Sequence, residues 1–324
     1  MPTIAPLDLD GHCIAATFIG TVPFFALAEG SVIWLDHGKK EVIIHDGLLC
    51  AARDGQGRWL LTGGEDGKIV RTSADGRTET LAENPGKWIN CIAAGPEDAV
   101  AFSTGRSSVV RNADGSLTEF QEQRTVEGIA FAPKGLRIAA ARYDGVSLHW
   151  AGLQAPAVDL EWKGAHTQVI FSPDGKYVVS SMQENALHGW RLDDGRHMRM
   201  AGYPSKVRSM SWSAKGKWLA SSGAPAAIVW PFSGKDGPMG KKPLQLGTRG
   251  DAAVTCVACH PTDDVVAIGY ADGAILAARL SDSKEAMLRH DGKGAISTMQ
   301  WDGKGVQLAF GAETGDCGII DLTA

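Results

Sequence analysis

The most suggestive chemistry in this chain is spelled by five residues, Cys256-Val257-Ala258-Cys259-His260. Two cysteines separated by two residues and followed by histidine are the pattern on which a c-type haem is attached. A second set of thiols, Cys13, Cys50, Cys91 and Cys256, invites a zinc reading, since these cysteines sit in segments that resemble one another. Thiolates about 2.3 Å from one ion make a structural zinc site. His12-Cys13 with His290 is one more combination of metal-ligand types. Other signatures are missing from the sequence: no Gly-x-Ser-x-Gly elbow, no His-Glu-x-x-His and no phosphate-cradling Gly-x-x-x-x-Gly-Lys-Ser/Thr.

Whether such residues meet depends on the segments that carry them, and those segments repeat. Val207-Arg208-Ser209-Met210-Ser211-Trp212-Ser213-Ala214-Lys215-Gly216 aligns with Val169-Ile170-Phe171-Ser172-Pro173-Asp174-Gly175 and with Val126-Glu127-Gly128-Ile129-Ala130-Phe131-Ala132-Pro133-Lys134-Gly135. The frame returns at Ile89, Val254 and Ile296, and more weakly at Leu48 and Cys13, with starts 37 to 47 residues apart from Leu48 onward. Such a period indicates radially or linearly repeated units. The third position of each copy is small or modest (Cys50, Cys91, Gly128, Gln168, Ser209, Cys256, Thr298). The sixth is mostly bulky (Phe131, Phe171, Trp212, Trp301). Alternation of this kind fits a strand with a thin and a thick face, and does not fit a helix. A turn such as Pro173-Asp174-Gly175 follows, then a second strand, then a tight turn such as Glu65-Asp66-Gly67 or Tyr143-Asp144-Gly145. A third strand then ends near Trp34, Trp150, Trp190 or Trp230, and a weaker fourth leads to the next copy.

Four antiparallel strands per copy resemble a WD40-type β-propeller over nearly the whole chain. Residues 164–190 match best, with Gly164-Ala165-His166, Phe171-Ser172-Pro173-Asp174-Gly175 and Trp190. The family's Gly-His and Trp-Asp dipeptides are degraded, and its His–Asp–Ser/Thr–Trp tetrad is complete in no copy. His166, Ser181 and Trp190 supply three members, with Asn185 near the Asp position. The resemblance implies an all-β, single-domain closed propeller over residues 1–324. It would have eight four-stranded blades, or seven if the irregular first copy is degenerate. The last copy lacks a fourth strand after Ile319-Ile320-Asp321-Leu322, and residues 3–9 are expected to supply it.

This frame answers the opening motifs. Cys256 takes the small third position, Cys259 the bulky sixth, and His260 the place of Ser172 and Ser213, so all three read as structural. Third-position thiols should face neighbouring blades, which keeps them from converging on one ion. No cofactor or metal is expected. Composition points the same way: 44% hydrophobic residues suit a packed core, and 40 glycines suit many tight turns. A net charge of −5 lacks the basic excess typical of nucleic-acid binders. The start, Met1-Pro2-Thr3-Ile4, does not read as a signal peptide, no apolar run is long enough to span a membrane, and scattered cysteines are no disulfide scaffold. A cytoplasmic location is expected.

The resemblance points to a non-catalytic scaffold that docks a protein or peptide on the face carrying the copy starts and the second turns. Trp88, Arg124, His166, Lys206, Arg208 and Arg249 should surround the channel there, with Asn90 and Glu127. Arg142, Tyr143 and Tyr270, with Arg106, Gln183 and Glu184, belong to the turns. Arg, Tyr and Trp dominate interface hot spots, and several cations on one face suit an acidic partner. The alternative is a metal-dependent hydrolase with its site assembled from several blades in the channel. The long segment from Phe232 to Pro243, rich in Gly, Pro and Lys, reads as a tolerated surface loop.

Overall fold

The computed structural model describes residues 3–234 and 236–323, so Lys235 of the long loop lies outside the described residues, as do Met1 and Pro2. The chain is built almost wholly of antiparallel strands. The Leu48 copy shows why. Leu48–Arg53, Trp59–Gly64, Lys68–Ser73 and Thr78–Glu83 pair in chain order as a meander. The first turn closes because the Asp54 carboxylate accepts the backbone N–H groups of Arg58 (2.5 Å) and Trp59 (2.9 Å). In the His166 copy, Asp174 does the same work through Lys176 N–H (3.1 Å) and Ser172 Oγ (2.7 Å). The second strands are buried nearly throughout, and fourth strands such as Thr78–Glu83 are largely exposed.

The ladders fall into seven sheets, six of four strands and one of six. Eight separate sheets were expected. The irregular first copy is not the cause, because Cys13–Ile19 and Val22–Leu27 open a full four-stranded sheet. The difference lies at the Val126 and His166 copies, which share the six-stranded sheet through two 14-residue strands, Arg137–Trp150 and Val158–Phe171. The other sheet that needed completion behaves as the sequence predicts. Thr3–Asp8 pairs antiparallel with Asp316–Asp321, from Thr3 opposite Asp321 to Asp8 opposite Asp316.

One irregularity recurs. Between the leading and third residues of a copy the register shifts, at Cys13/Ala15, Leu48/Cys50, Val126/Gly128, His166/Gln168, Val254/Cys256 and Ile296/Thr298. Such a bulge inserts one residue and turns the strand start away from its partner. Cys13 thus takes the leading slot rather than the third.

The chain divides into two compact units, Ala28–Ala201 and Met1–Leu27 with Gly202–Ala324. Within each, thin and thick faces interlock as the sequence predicts. In the first, Phe131 lies so close to Gly95 that a Cβ there would stand 2.7 Å from its ring. In the second, Trp301 Nε1 donates to Ala258 O (3.0 Å), and Cys259 Sγ reaches Ser211 O (3.3 Å). Among the described residues no helix is long and apolar enough to cross a membrane.

Candidate functional site

A polar side chain near the start of several copies reaches into the second and third strands of that copy. In the Leu48 copy it is His45, whose Nδ1–H donates to Asp66 Oδ1 (3.0 Å) while Nε2 faces the Thr62 hydroxyl (2.9 Å). Three members of the tetrad are therefore present in the Leu48 copy as well. In the His166 copy, His166 Nε2–H donates to Trp162 O (2.9 Å). Burial pushes this imidazole's pKa down, so the ring is neutral and Nδ1 accepts from Ser180 Oγ (2.6 Å). Ser180, not Ser181, is the partner, because the bulge after His166 moves the pairing by one residue. Trp190 stands 5.7 Å from the His166 ring. In the Val207 copy a tyrosine takes over: Trp230 Nε1–H donates to Tyr203 OH (2.6 Å), which lies 2.7 Å from Ser221 Oγ. Burial pushes the Tyr203 hydroxyl's pKa up to about 12.

The Val126 copy holds a buried ionic network in the same place. Glu122 accepts from His149 Nε2–H (2.7 Å), Ser147 Oγ (2.7 Å) and Ser108 Oγ (3.0 Å), and Arg142 Nε lies 3.7 Å away. Burial pushes the Glu122 carboxyl up, but the hydrogen bonds from His149 and Ser147 outweigh it and leave it below its usual value.

This accounts for much of the expected docking set. Arg142 is buried, with its guanidinium engaged by Ser147 Oγ (2.8 Å), Asp159 (2.5 Å) and Tyr143 O. His166 and Tyr270 are fully buried, and Tyr270 OH donates to Gly247 O. These three side chains are spent inside the fold, because the copy starts and turns where they sit are also where each sheet is latched. Arg249 pairs with Asp272 (3.0 Å) and lies over the Tyr270 ring, and Arg208 lies 3.7 Å from Glu313. Arg124 and Lys206 are exposed. The exposed aromatic members are Trp88, 57% accessible, and Tyr143, 45% accessible.

The metal-like motifs resolve into packing. His260 Nδ1 accepts the N–H of Asp263 (3.0 Å), so Nε2–H donates to Gly305 O (2.9 Å). Burial raises the Cys256 thiol to about 11 and the Cys259 thiol to about 12. Cys50 Sγ points at Ile89 O (3.1 Å), the leading residue of the next copy, as a third-position side chain should. Among the described residues no three His, Cys, Asp or Glu side chains converge as metal ligands would.

A recess of about 590 Å³ opens beside Arg142 and Tyr143, lined also by Gln123, Asp144, Asp159, Glu161, Trp162 and Lys163. The sequence reading anticipated only the first two. Asp144 belongs to the same turn as Tyr143, and the others come from the fourth strand and the links between copies, the least regular part of the repeat. Trp162 is fixed by a stacked His188 ring (centroids 4.0 Å, planes at 17°) and by its carbonyl's bond to His166.

Residues 257–324 match the family model described as the anaphase-promoting complex subunit 4 WD40 domain, and residues 197–230 match the WD domain, G-beta repeat. Among solved structures, the computationally designed Ika8 protein is similar at 19% identity and a TM-score of 0.78, over 97% of each chain. The C-terminal WD40 domain of Sif2 is similar at 12% identity and a TM-score of 0.76, over 99% of each chain. The RRP9 WD40 repeats align at 14% identity and a TM-score of 0.64, over 85% of this chain and 94% of that one.

Proposed function

Because the chain is a WD40-repeat β-propeller, we propose that it works as a non-catalytic scaffold, docking a partner protein or peptide at the turns and links that begin each copy. The observation that carries this reading is the recess at Tyr143 and Trp162, a concave surface of adequate size with one aromatic residue, Trp162, held in place by a stacked ring. Trp88 adds a second exposed aromatic anchor. Pre-ordered walls reduce the ordering cost of binding.

We also read the six-stranded sheet as two blades, which makes eight in one domain. Support comes from the pairing of its long strands. Residues 138–142 pair with the preceding strand Val126–Phe131, and residues 143–148 with the following Val158–Phe171, the change falling at Asp144 and Gly145, both at positive φ. A cytoplasmic location fits six cysteines that form no disulfide among the described residues.

The test is native purification of the wild-type chain and of a Trp88→Ala/Tyr143→Ala variant, with mass spectrometry of each eluate. A stoichiometric protein released by the variant, at unchanged melting temperature, supports the reading. A partner set identical in both eluates, or none in either, refutes it.

A further inference from the structure

We propose that the Tyr143–Trp162 recess takes a cationic side chain, an arginine or lysine on a peptide segment of the partner, rather than an acidic segment. The inference rests on the docking reading and names the chemistry of its partner. Three of the arginines that would attract carboxylates already face carboxylates of the fold. Arg142 is held by Asp159, with Glu122 3.7 Å from its Nε, and all three of its nitrogens donate within the fold. Arg208 and Arg249 face Glu313 and Asp272. In the recess wall, by contrast, Asp144 and Glu161 form no ion pair among the described residues, and Asp159 is 40% exposed despite its bond to Arg142. Lys163 is the one opposing cation in the wall that Arg142 does not represent. A carboxylate entering here would meet three acidic groups, and a guanidinium or ammonium would be drawn to them.

The aromatic residues add a second argument, independent of charge. Trp162 lines the recess and is only half-buried, and its indole is held by the stacked His188 ring and the tilted His197 ring, 5.0 Å away. Tyr143, 45% exposed, stands on the same wall. Cations bind the faces of such rings, Trp above all, and the attraction grows as water is excluded. A fixed indole beside unpaired carboxylates suits the planar, weakly hydrated guanidinium best.

The experiment uses the full chain labelled with 5-fluorotryptophan, the Trp162 resonance being assigned from Trp162→Phe. The probes are two capped pentapeptides, Gly-Arg-Ala-Arg-Gly and Gly-Glu-Ala-Glu-Gly. The arginine peptide should shift the Trp162 signal saturably, and the glutamate peptide should not. Asp144→Asn with Glu161→Gln should weaken arginine-peptide binding by roughly three- to tenfold, the range for two exposed charge contacts. Asn tolerates the left-handed turn conformation at residue 144, and a retained fluorine spectrum elsewhere checks the fold. No saturable shift, equal binding of the glutamate peptide, or unchanged affinity in the double variant overturns the proposal. If that happens while Trp88→Ala/Tyr143→Ala still releases a partner, the cation preference fails and the docking reading stands.

Discussion

His188 makes acid sensitivity a test of how this core is built. The side chain is fully buried, stacks on Trp162, and has no hydrogen-bond partner for either ring nitrogen among the described residues. Burial, with smaller contributions from the charges of His197 and His166, pushes its pKa down from 6.5 to about 3. Its folded value lies below its unfolded one, so as pH falls the unfolded chain takes up the proton first. The contribution to stability is therefore intact above about pH 6.5 and drains away as pH falls towards 3. At pH 5 the loss is about 2 kcal/mol, from 1.5 pH units of unfavourable linkage at 1.36 kcal/mol per unit. Phenylalanine at 188 would keep the stacked ring and remove both unpartnered nitrogens, which cost on the order of 1–3 kcal/mol when buried. His188→Phe should thus be at least as stable as wild type at pH 7, and its advantage should grow by about 2 kcal/mol at pH 5. Urea unfolding followed by circular dichroism measures this, with hydrogen exchange over residues 186–191 as a local readout, since repeat arrays lose all-or-none unfolding. Parallel pH profiles for the two proteins would refute the reasoning.

Removing residues 3–8 should leave the six residues of Asp316–Asp321 as an open sheet edge, and size-exclusion chromatography should show more self-association than for the intact chain. Tyr203→Phe deprives the Trp230 indole N–H of its acceptor, and should cost about 1–3 kcal/mol in urea unfolding. Arg142→Ala should cost about 1–3 kcal/mol in urea unfolding, because Ser147, the Tyr143 carbonyl and Asp159 lose their donor while Glu122 keeps its bonds from His149, Ser147 and Ser108. Arg208→Glu, on a side chain 71% exposed, should stay within about 0.5 kcal/mol.

The fold was readable because first strands carry a repeated thin and thick alternation that only a period of two satisfies. The missing last strand was readable for a similar reason: Ile319-Ile320-Asp321-Leu322 ended without a partner, and Thr3–Asp8 lay unassigned. The bulges were harder to see. A bulge changes no residue type, yet it moves every later pairing by one, which is why counting from His166 arrives at Ser181 and the hydrogen bond goes to Ser180. His45 escaped notice because it stands three residues before its copy's leading Leu48, whereas His166 is itself the leading residue. Its partners, Thr62 and Asp66, occupy the same second-strand and turn positions that the family pattern assigns.

The docking set was less legible, and the reason is geometric. Sequence position places Arg142, Arg208 and Arg249 near the starts and turns of copies, but says nothing of what stands opposite them. In a meander the turn between second and third strands lies beside the fourth strand, so Arg142 finds Asp159 across 17 residues of sequence. Arg249 likewise leaves a link between copies to meet Asp272 in the next turn, 23 residues on. Tight antiparallel repeats bring turn cations to carboxylates in this way, which leaves their charge little available to a partner. Asp144 and Glu161 stay unpaired for the complementary reason: Arg142, the nearest arginine, is already turned inward to Glu122 and Ser147. The surplus on this surface is thus negative, although the residue types that first drew attention to it were positive.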